Sequence, residues 1–260
     1  MSYLVIENIH KTFSSSIDGV PHNTEVIDNI SLIVNKGEFV SIFGPNGCGK
    51  TTLLNIIAGL LEMDQGKISI DDKPLHKARI GYIFQNYRDS LFPWLKNIDN
   101  LAFPLELQGV PKKKRQKIAT EFMDKLGLEI PLNTYPYQLS GGQQQLLAIV
   151  RALLFNPDVL LMDEPFGSLD YTTRYYIRDR LLDLWDRTKV TILLVSHDID
   201  EAIYLADRVT LLSKRPAKIV EILDANFQRP RNASLLERDE FFVLKAKALH
   251  IFKEALNSEV

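Results

Sequence analysis

The sequence predicts an α/β fold: a mostly parallel sheet with a helical segment inserted into it. Three observations carry this reading. Strand-length apolar runs at Glu38–Phe43, Val159–Met162 and Val190–Val195 lack the alternation of a one-sided sheet, as expected of strands covered on both faces. Segments of helical period separate them, the arrangement that parallel pairing requires. Between about residues 95 and 155 the period is helical throughout.

In chain order, Leu4–Ile6, Val26–Val34 and Glu38–Phe43 predict strands, and polar Ser14–Asn23, with Gly19 and Pro21, predicts a loop between the first two. Leu53–Leu61 has helical character, and Gly66–Ile70 and Arg79–Phe84 continue the strands. The helical insert comprises Leu95–Leu107, Pro111–Leu128 and Gly141–Leu154, and Asn156-Pro157-Asp158 ends it. Helices at Arg174–Trp185 and Ile199–Ala206 then alternate with strands at Val190–Val195, Val209–Leu212 and Lys218–Leu223. The division expected is one domain over residues 1–230 and a helical tail, 231–260, packing on it through a helix at about Leu235–Ala255.

Composition excludes some function classes. With 45% hydrophobic and 25% charged residues the chain is of globular type, and its net charge of −2 gives no bulk pull toward nucleic acid. Lys112-Lys113-Lys114-Arg115 follows Pro111 and reads as a solvated first helical turn, the alternative being a lipid- or phosphate-binding patch. A single cysteine, Cys48, precludes an internal disulfide and fits a reducing compartment. No apolar run approaches the roughly 18 residues that cross a bilayer, and no signal peptide is expected.

Gly44-Pro45-Asn46-Gly47-Cys48-Gly49-Lys50-Thr51 matches the phosphate-binding loop pattern in full. An apolar strand, Val40–Phe43, runs into a loop whose glycines let N–H groups turn toward one point. A helix starting at Gly49–Lys50 aims its positive end there too. Lys50 adds a mobile cation for phosphates, and the Thr51 hydroxyl, with Thr52 beside it, suits Mg²⁺ and phosphate. Cys48 lies next to a helix start and a lysine, which predicts an exposed, acidified thiol; the alternative is a small buried hydrophobe.

Val159–Met162 leads into Asp163 and Glu164, two carboxylates at the C-terminal end of a buried strand, where open α/β sheets bind ligands. Asp163 suits a Mg²⁺ shell, and Glu164 could polarise an attacking water. Leu139-Ser140-Gly141-Gly142-Gln143 begins the helix Gly141–Leu154 and offers backbone donors at a second helix start. One γ-phosphate does not need two such sites. A head-to-tail pair of chains, each offering this segment to ATP on its partner's loop, explains both.

In this order the motifs make the chain similar to the ABC ATPases across nearly its whole length. Gly44–Thr51 resembles their Walker A loop, Gln85 the Q-loop residue, and Leu139–Gln143 the signature sequence. Asp163 and Glu164 resemble Walker B, Ser168-Leu169-Asp170 the D-loop, and His197 the switch histidine. Phe13 stands where the family places an aromatic that stacks on adenine. The resemblance implies a P-loop NTPase fold with a mostly parallel core sheet, an N-terminal antiparallel β subdomain and an inserted helical subdomain. It implies ATP and Mg²⁺ as ligands, Gln85 in the Mg²⁺ shell, Glu164 orienting water, His197 on the γ-phosphate, and Asp170 crossing a dimer interface. Leu146 departs from the basic residue common in the family after the signature, which implies altered tuning.

Leu91-Phe92-Pro93-Trp94-Leu95 and Leu212-Ser213-Lys214-Arg215-Pro216 resemble segments of importer ATPases for nitrate, sulfonate, taurine and bicarbonate. The partners so implied are transmembrane permease subunits docking after Gln85, a second identical or paralogous ATPase chain, and indirectly a substrate-binding protein. The place implied is the cytoplasmic face of the inner membrane. An exporter or lipoprotein-release ATPase, or a soluble non-transport ABC protein, are the alternatives.

Overall fold

The computed structural model describes residues 2–17 and 20–257. The chain divides into two compact units, Met1–Ala78 with Thr191–Val260, and Arg79–Val190.

The first unit contains two sheets. β1 (Ser2–Ile17) pairs antiparallel with β2 (Val20–Asn35) and with β4 (Gln65–Ile70), and β4 pairs with the short β5 (Lys73–Pro74). This is the antiparallel N-terminal sheet that the resemblance implies. The predicted loop at Ser14–Asn23 is a correction: Ser14 pairs with Asn23 and Ser15 with His22, so the two strands run on as one long hairpin. Main-chain pairing does not depend on apolar side chains, and here exposed serines ride on it, with Ser14 Oγ donating to Asn23 Oδ1 at 2.8 Å. Asp18 and Gly19 lie outside the described residues.

In the second sheet of this unit β3 (Phe39–Phe43) runs parallel to β8 (Thr191–Ser196) and to β9 (Arg208–Leu212), while β10 (Ile219–Asp224) closes antiparallel on β9. Every residue of β3 and β8 is buried, which is why these strands are continuous apolar runs in the sequence. Three helices belong here: α1 (Lys50–Ile57), α6 (Ile199–Leu205) and α7 (Asp239–Asn257). α7 makes contacts within this unit. Phe241 is buried, the Phe252 ring meets Phe43 at 4.9 Å, and Lys245 pairs with Asp200 at 2.8 Å.

The second unit holds β6 (Ile80–Ile83) parallel to β7 (Val159–Asp163), with α2 (Asn97–Leu107), α3 (Lys112–Leu126), α4 (Gly141–Leu154) and α5 (Tyr171–Thr188). Lys112 to Lys114 are exposed on the first turn of α3, as a solvated helix start should be, and Arg115 turns back to Glu106 at 2.7 Å. Fully buried Asn100 fixes the segment before α2: its side chain accepts from Phe92 N and donates to the Phe92 and Leu95 carbonyls. Phe92 therefore packs inward, against Phe103 at 4.6 Å, whereas Trp94 is 71% exposed.

Arg229-Pro230-Arg231 reads in sequence as a polar break, yet it ties the first unit together. The Arg231 side chain is 1% exposed and donates to the carbonyls of Ile203, Tyr204, Ala206 and Ala225. Arg229 donates to Asp207, whose other carboxylate oxygen accepts from Phe39 N at the start of β3. Replacing Arg231 by Met strands several buried acceptors. We expect a loss of about 3 kcal/mol, read as a thermal midpoint lower by roughly 6 to 12 °C; an unchanged midpoint would show that water satisfies those carbonyls.

Candidate nucleotide-binding site

β3 ends at Phe43, and the chain turns at once. A Cβ on Gly44 would stand 3.0 Å from Leu212 Cβ and 3.2 Å from Cys48 Sγ, so any side chain there would press these neighbours aside. Gly49 caps α1 at φ 127°, a region closed to other residues, and a Cβ on it would meet the Val26 carbonyl at 3.1 Å. α1 has no side-chain cap and no acidic residue in its first turn. Its N–H groups and positive dipole end therefore face the loop. Lys50 is only 5% exposed, and its ammonium donates to the Gly44 and Pro45 carbonyls at 2.9 and 3.1 Å. Both partners are neutral, so an arriving phosphate oxygen offers this cation a stronger bond. Asn46, Gly47 and Thr51 are exposed and Pro45 and Thr52 half-buried. The donor set fits an anion of phosphate size.

Cys48 is a correction. It is 2% exposed, with its sulfur beneath the loop at Gly44. Burial pushes the thiol up and outweighs the opposing charges of Lys50 and Arg215. The helix start acidifies a thiol only when solvent reaches it, and the fold denies that.

In the first unit, β8 delivers His197 to an exposed position immediately before α6. Asp198 fixes the helix start by accepting from the N–H groups of Asp200 and Glu201, and Ser196 Oγ donates to Glu201 at 2.8 Å. The backbone on both sides of His197 is thus held. Phe13 on β1 is exposed, with the Lys11 ammonium 5.5 Å from its ring centre. Lys11 and Thr12 N are both bound to Asp64.

In the second unit, parallel pairing of β6 with β7 brings their C-terminal ends to one edge. Asp163 is buried there, next to a Tyr82 phenol pushed up first by burial and then by the Asp163 charge. Gln85, just past β6, donates from Nε2 to Glu164 Oε2 at 3.2 Å across 79 residues of sequence. Glu164 has φ 44°, left-handed backbone that a glutamate holds only where its surroundings impose it.

Ser140 caps α4, and the cap is reciprocal: its Oγ accepts from Gln143 N, and Gln143 Oε1 accepts from Ser140 N. A Cβ on Gly142 would stand 2.7 Å from Thr173 Cγ2, so this glycine admits α5 against α4. Asp170 caps α5 through Thr173 N at 3.0 Å, and the Thr173 bonds hold its carboxyl below the usual range. Ser140 and Asp170 are thereby linked through Thr173 and Gly142, and Gly141, next to Ser140 in the chain, is half-buried. Leu146 is buried, which accounts for an apolar residue where a basic one is common. The sequence reading missed Arg215, which donates to the Gly47 carbonyl at 2.7 Å. Its segment stands out in the sequence, but no pattern connects it to the loop.

A family model for the ABC transporter matches residues 27–167. The chain belongs to the ABC transporter family. An uncharacterized ABC transporter ATP-binding protein of Methanocaldococcus jannaschii is 44% identical over 96% of this chain and 91% of its own. An aliphatic sulfonates import ATP-binding protein of Bacillus thuringiensis subsp. konkukian is 41% identical over 95% of both chains. Among solved structures, an ATP-binding cassette in a dimeric, post-hydrolysis state bound to ADP and Pi superposes with a TM-score of 0.72 at 32% identity, covering 86% of this chain and all of that one. This ABC ATPase is accordingly the ATP-binding and ATP-hydrolysing subunit of a transporter. Among its described residues no helix is long and apolar enough to cross a membrane.

The buried thiol has a measurable consequence. N-ethylmaleimide should label Cys48 of the folded ABC ATPase about 10²-fold more slowly than in the urea-unfolded chain. Labelling at comparable rates, followed by mass spectrometry, would restore the reactive thiolate.

Proposed function

We propose that this ABC ATPase drives an importer of a small anionic or organic solute, of the nitrate, sulfonate, taurine or bicarbonate type, from the cytoplasmic face of the inner membrane. The hydrogen bond between Gln85 and Glu164 carries the reading, because it joins the acid suited to hydrolysis to the segment leading to Trp94. Beside that segment lies a cavity of about 460 Å³ lined by Phe84, Phe92, Phe103, Leu107 and Phe155. An apolar groove bordered by exposed Phe84 and Leu107 suits an amphipathic helix of a membrane subunit. The relatives named for aliphatic sulfonate import support the direction of transport and the solute class.

In this reading the loop Gly44–Thr51, with Thr52, receives the ATP phosphates, Lys50 exchanging its carbonyl partners for phosphate oxygens, and Phe13 stacks on adenine. Thr51, Asp163 and Gln85 would hold Mg²⁺, an all-oxygen donor set of the kind a hard cation takes. Bound there, the ion supplies charge neutralisation for the phosphates. Glu164 accepts a proton from the attacking water as its oxygen bonds the γ-phosphorus and the bond from that phosphorus to the leaving oxygen of ADP breaks, and His197 steadies the γ-phosphate. A second chain, placed head to tail, closes the site with its own Ser140, Gly141, Gly142 and Gln143, and with Asp170 at the interface.

Glu164→Gln keeps the shape of the side chain and removes the base. Hydrolysis should fall by a factor of about 10² to 10⁴, ATP binding should persist, and ATP should trap dimers that co-purify with multi-spanning membrane proteins. Near-normal turnover would remove Glu164 from the role, and trapped dimers that leave the membrane fraction would count against transport through separate permease subunits.

Ser140→Arg tests the split site. In a mixed dimer one such chain should abolish hydrolysis of the ATP bound at the partner's Lys50 while sparing its own. Marking one site with Lys50→Ala shows which is lost, and a defect that follows the mutated chain's own loop would sink the head-to-tail arrangement.

A further inference from the structure

The segment between β9 and β10 is built as a fixed support. Ser213 N donates to the Lys218 carbonyl at 3.0 Å, and Ser213 Oγ accepts from Lys218 N at 2.9 Å, closing the segment on itself. Ala217 N donates to the Val26 carbonyl and Asp28 N to the Ala217 carbonyl, at 2.8 and 3.0 Å, which stitches it to β2. Lys218 adds an ion pair with Asp28 at 2.8 Å. From this support Arg215 reaches the phosphate loop and donates to the Gly47 carbonyl, 168 residues away in sequence.

Gly47 is where such a hold is needed. It lies in left-handed backbone at φ 73°, and nothing stands within 4 Å of where a side chain would be. A glycine so placed is the freest point of the loop. Its carbonyl shares a planar peptide unit with Cys48 N–H, and in a trans peptide the two point in opposite directions. Fixing the carbonyl on Arg215 therefore aims the Cys48 N–H back into the loop, where it meets the Pro45 carbonyl at 3.3 Å. The bond is charge-assisted, and the planar fork of arginine fixes a direction that the point charge of lysine does not.

We propose that Arg215 is a positioning residue, holding the Gly47–Cys48 peptide in the conformation that receives phosphate. This rests on the reading of Gly44–Thr51 as the ATP phosphate site. The bond joins two groups of the protein itself, so the two ideas can be tested apart.

The experiment compares the wild-type chain with Arg215→Gln, Arg215→Lys and Lys214→Gln, the last removing a neighbouring cation but not the contact. In nucleotide-free protein, N-ethylmaleimide labelling of Cys48 should accelerate about 3- to 10-fold in Arg215→Gln, because the loop above the thiol opens more often. A purely electrostatic role predicts the opposite: removing a cation that favours the thiolate would slow labelling. Equilibrium binding of ATP should weaken by a similar factor of about 3 to 10, the worth of one exposed charge-assisted bond. KM should rise with it while kcat stays within about twofold, since the chemistry lies on other residues. Arg215→Lys should recover part of both effects, and Lys214→Gln should match wild type. Labelling and ATP affinity unchanged in Arg215→Gln would overturn the proposal, as would equal effects in Lys214→Gln. Should Arg215→Gln not fold, Arg215→Lys decides alone: partial loss in both measurements supports the hold, and wild-type values overturn it. A wild-type protein that binds no ATP would defeat the loop assignment instead, leaving the labelling result to judge Arg215.

Discussion

The passage from β3 into α1 is the constraint on which the rest of the first unit depends. A fully buried strand must become a helix within a few residues, and the loop between them must keep its N–H groups turned inward. Two close approaches enforce this, Gly44 against Leu212 and Gly49 against Val26. Because β9 and β2 supply those walls, the loop's shape is set by strands distant in sequence. The price appears in electrostatics: a lysine is buried on neutral carbonyls and a helix start is left without a cap. A cap is worth about 1 kcal/mol; α1, like α2 and α3, forgoes it, and at α1 an incoming phosphate would take its place. The chain takes the same stabilisation elsewhere, at Ser140, Asp170 and Asp198.

The second unit uses caps in another way. Ser140 and Asp170 stabilise the helices they begin, and both are also candidates for meeting a partner chain. Their geometry is therefore fixed by the folding of one chain alone, before any partner arrives, and an interface made of preset groups loses less freedom on closing. Gly142 serves this arrangement as a packing position, since Thr173, bound to Asp170, occupies the space a side chain would need.

Much of this was legible in the sequence because the physics is local. The phosphate loop needs its glycines at fixed offsets, β7 needs five buried residues ending in acid, and both β3 and β8 show as apolar runs. The helical insert and the tail helix follow from period alone. The rest is non-local. The hairpin through Ser14 and Asn23 is held by main-chain pairing, to which composition is blind. Cys48 was misjudged because a helix start and a lysine are visible in sequence, whereas the covering loop is not. Arg231 and Arg215 look like surface cations, yet each has partners set by tertiary approach: four carbonyls for one, the Gly47 carbonyl for the other. Gln85 could be singled out by resemblance, but its contact with Glu164 requires the parallel register of β6 and β7.

That register also bears on coupling. Gln85 touches Glu164 on one side, and on the other the chain runs to Phe92 and Trp94, a stretch held by the buried amide of Asn100. Under the proposed function a membrane subunit would bind at the exposed end of this stretch and nucleotide at the other. Any free energy by which docking favours one position of Gln85 must then be returned in full when nucleotide favours the same position. Rigid elements suit this exchange better than soft ones, because a packed segment answers a displacement at one end by moving as a body. Asn100 would serve the proposed exchange by fixing Phe92 and Leu95 on either side of Trp94. Its three bonds to Phe92 and Leu95 hold the end of the stretch at which the membrane subunit would dock.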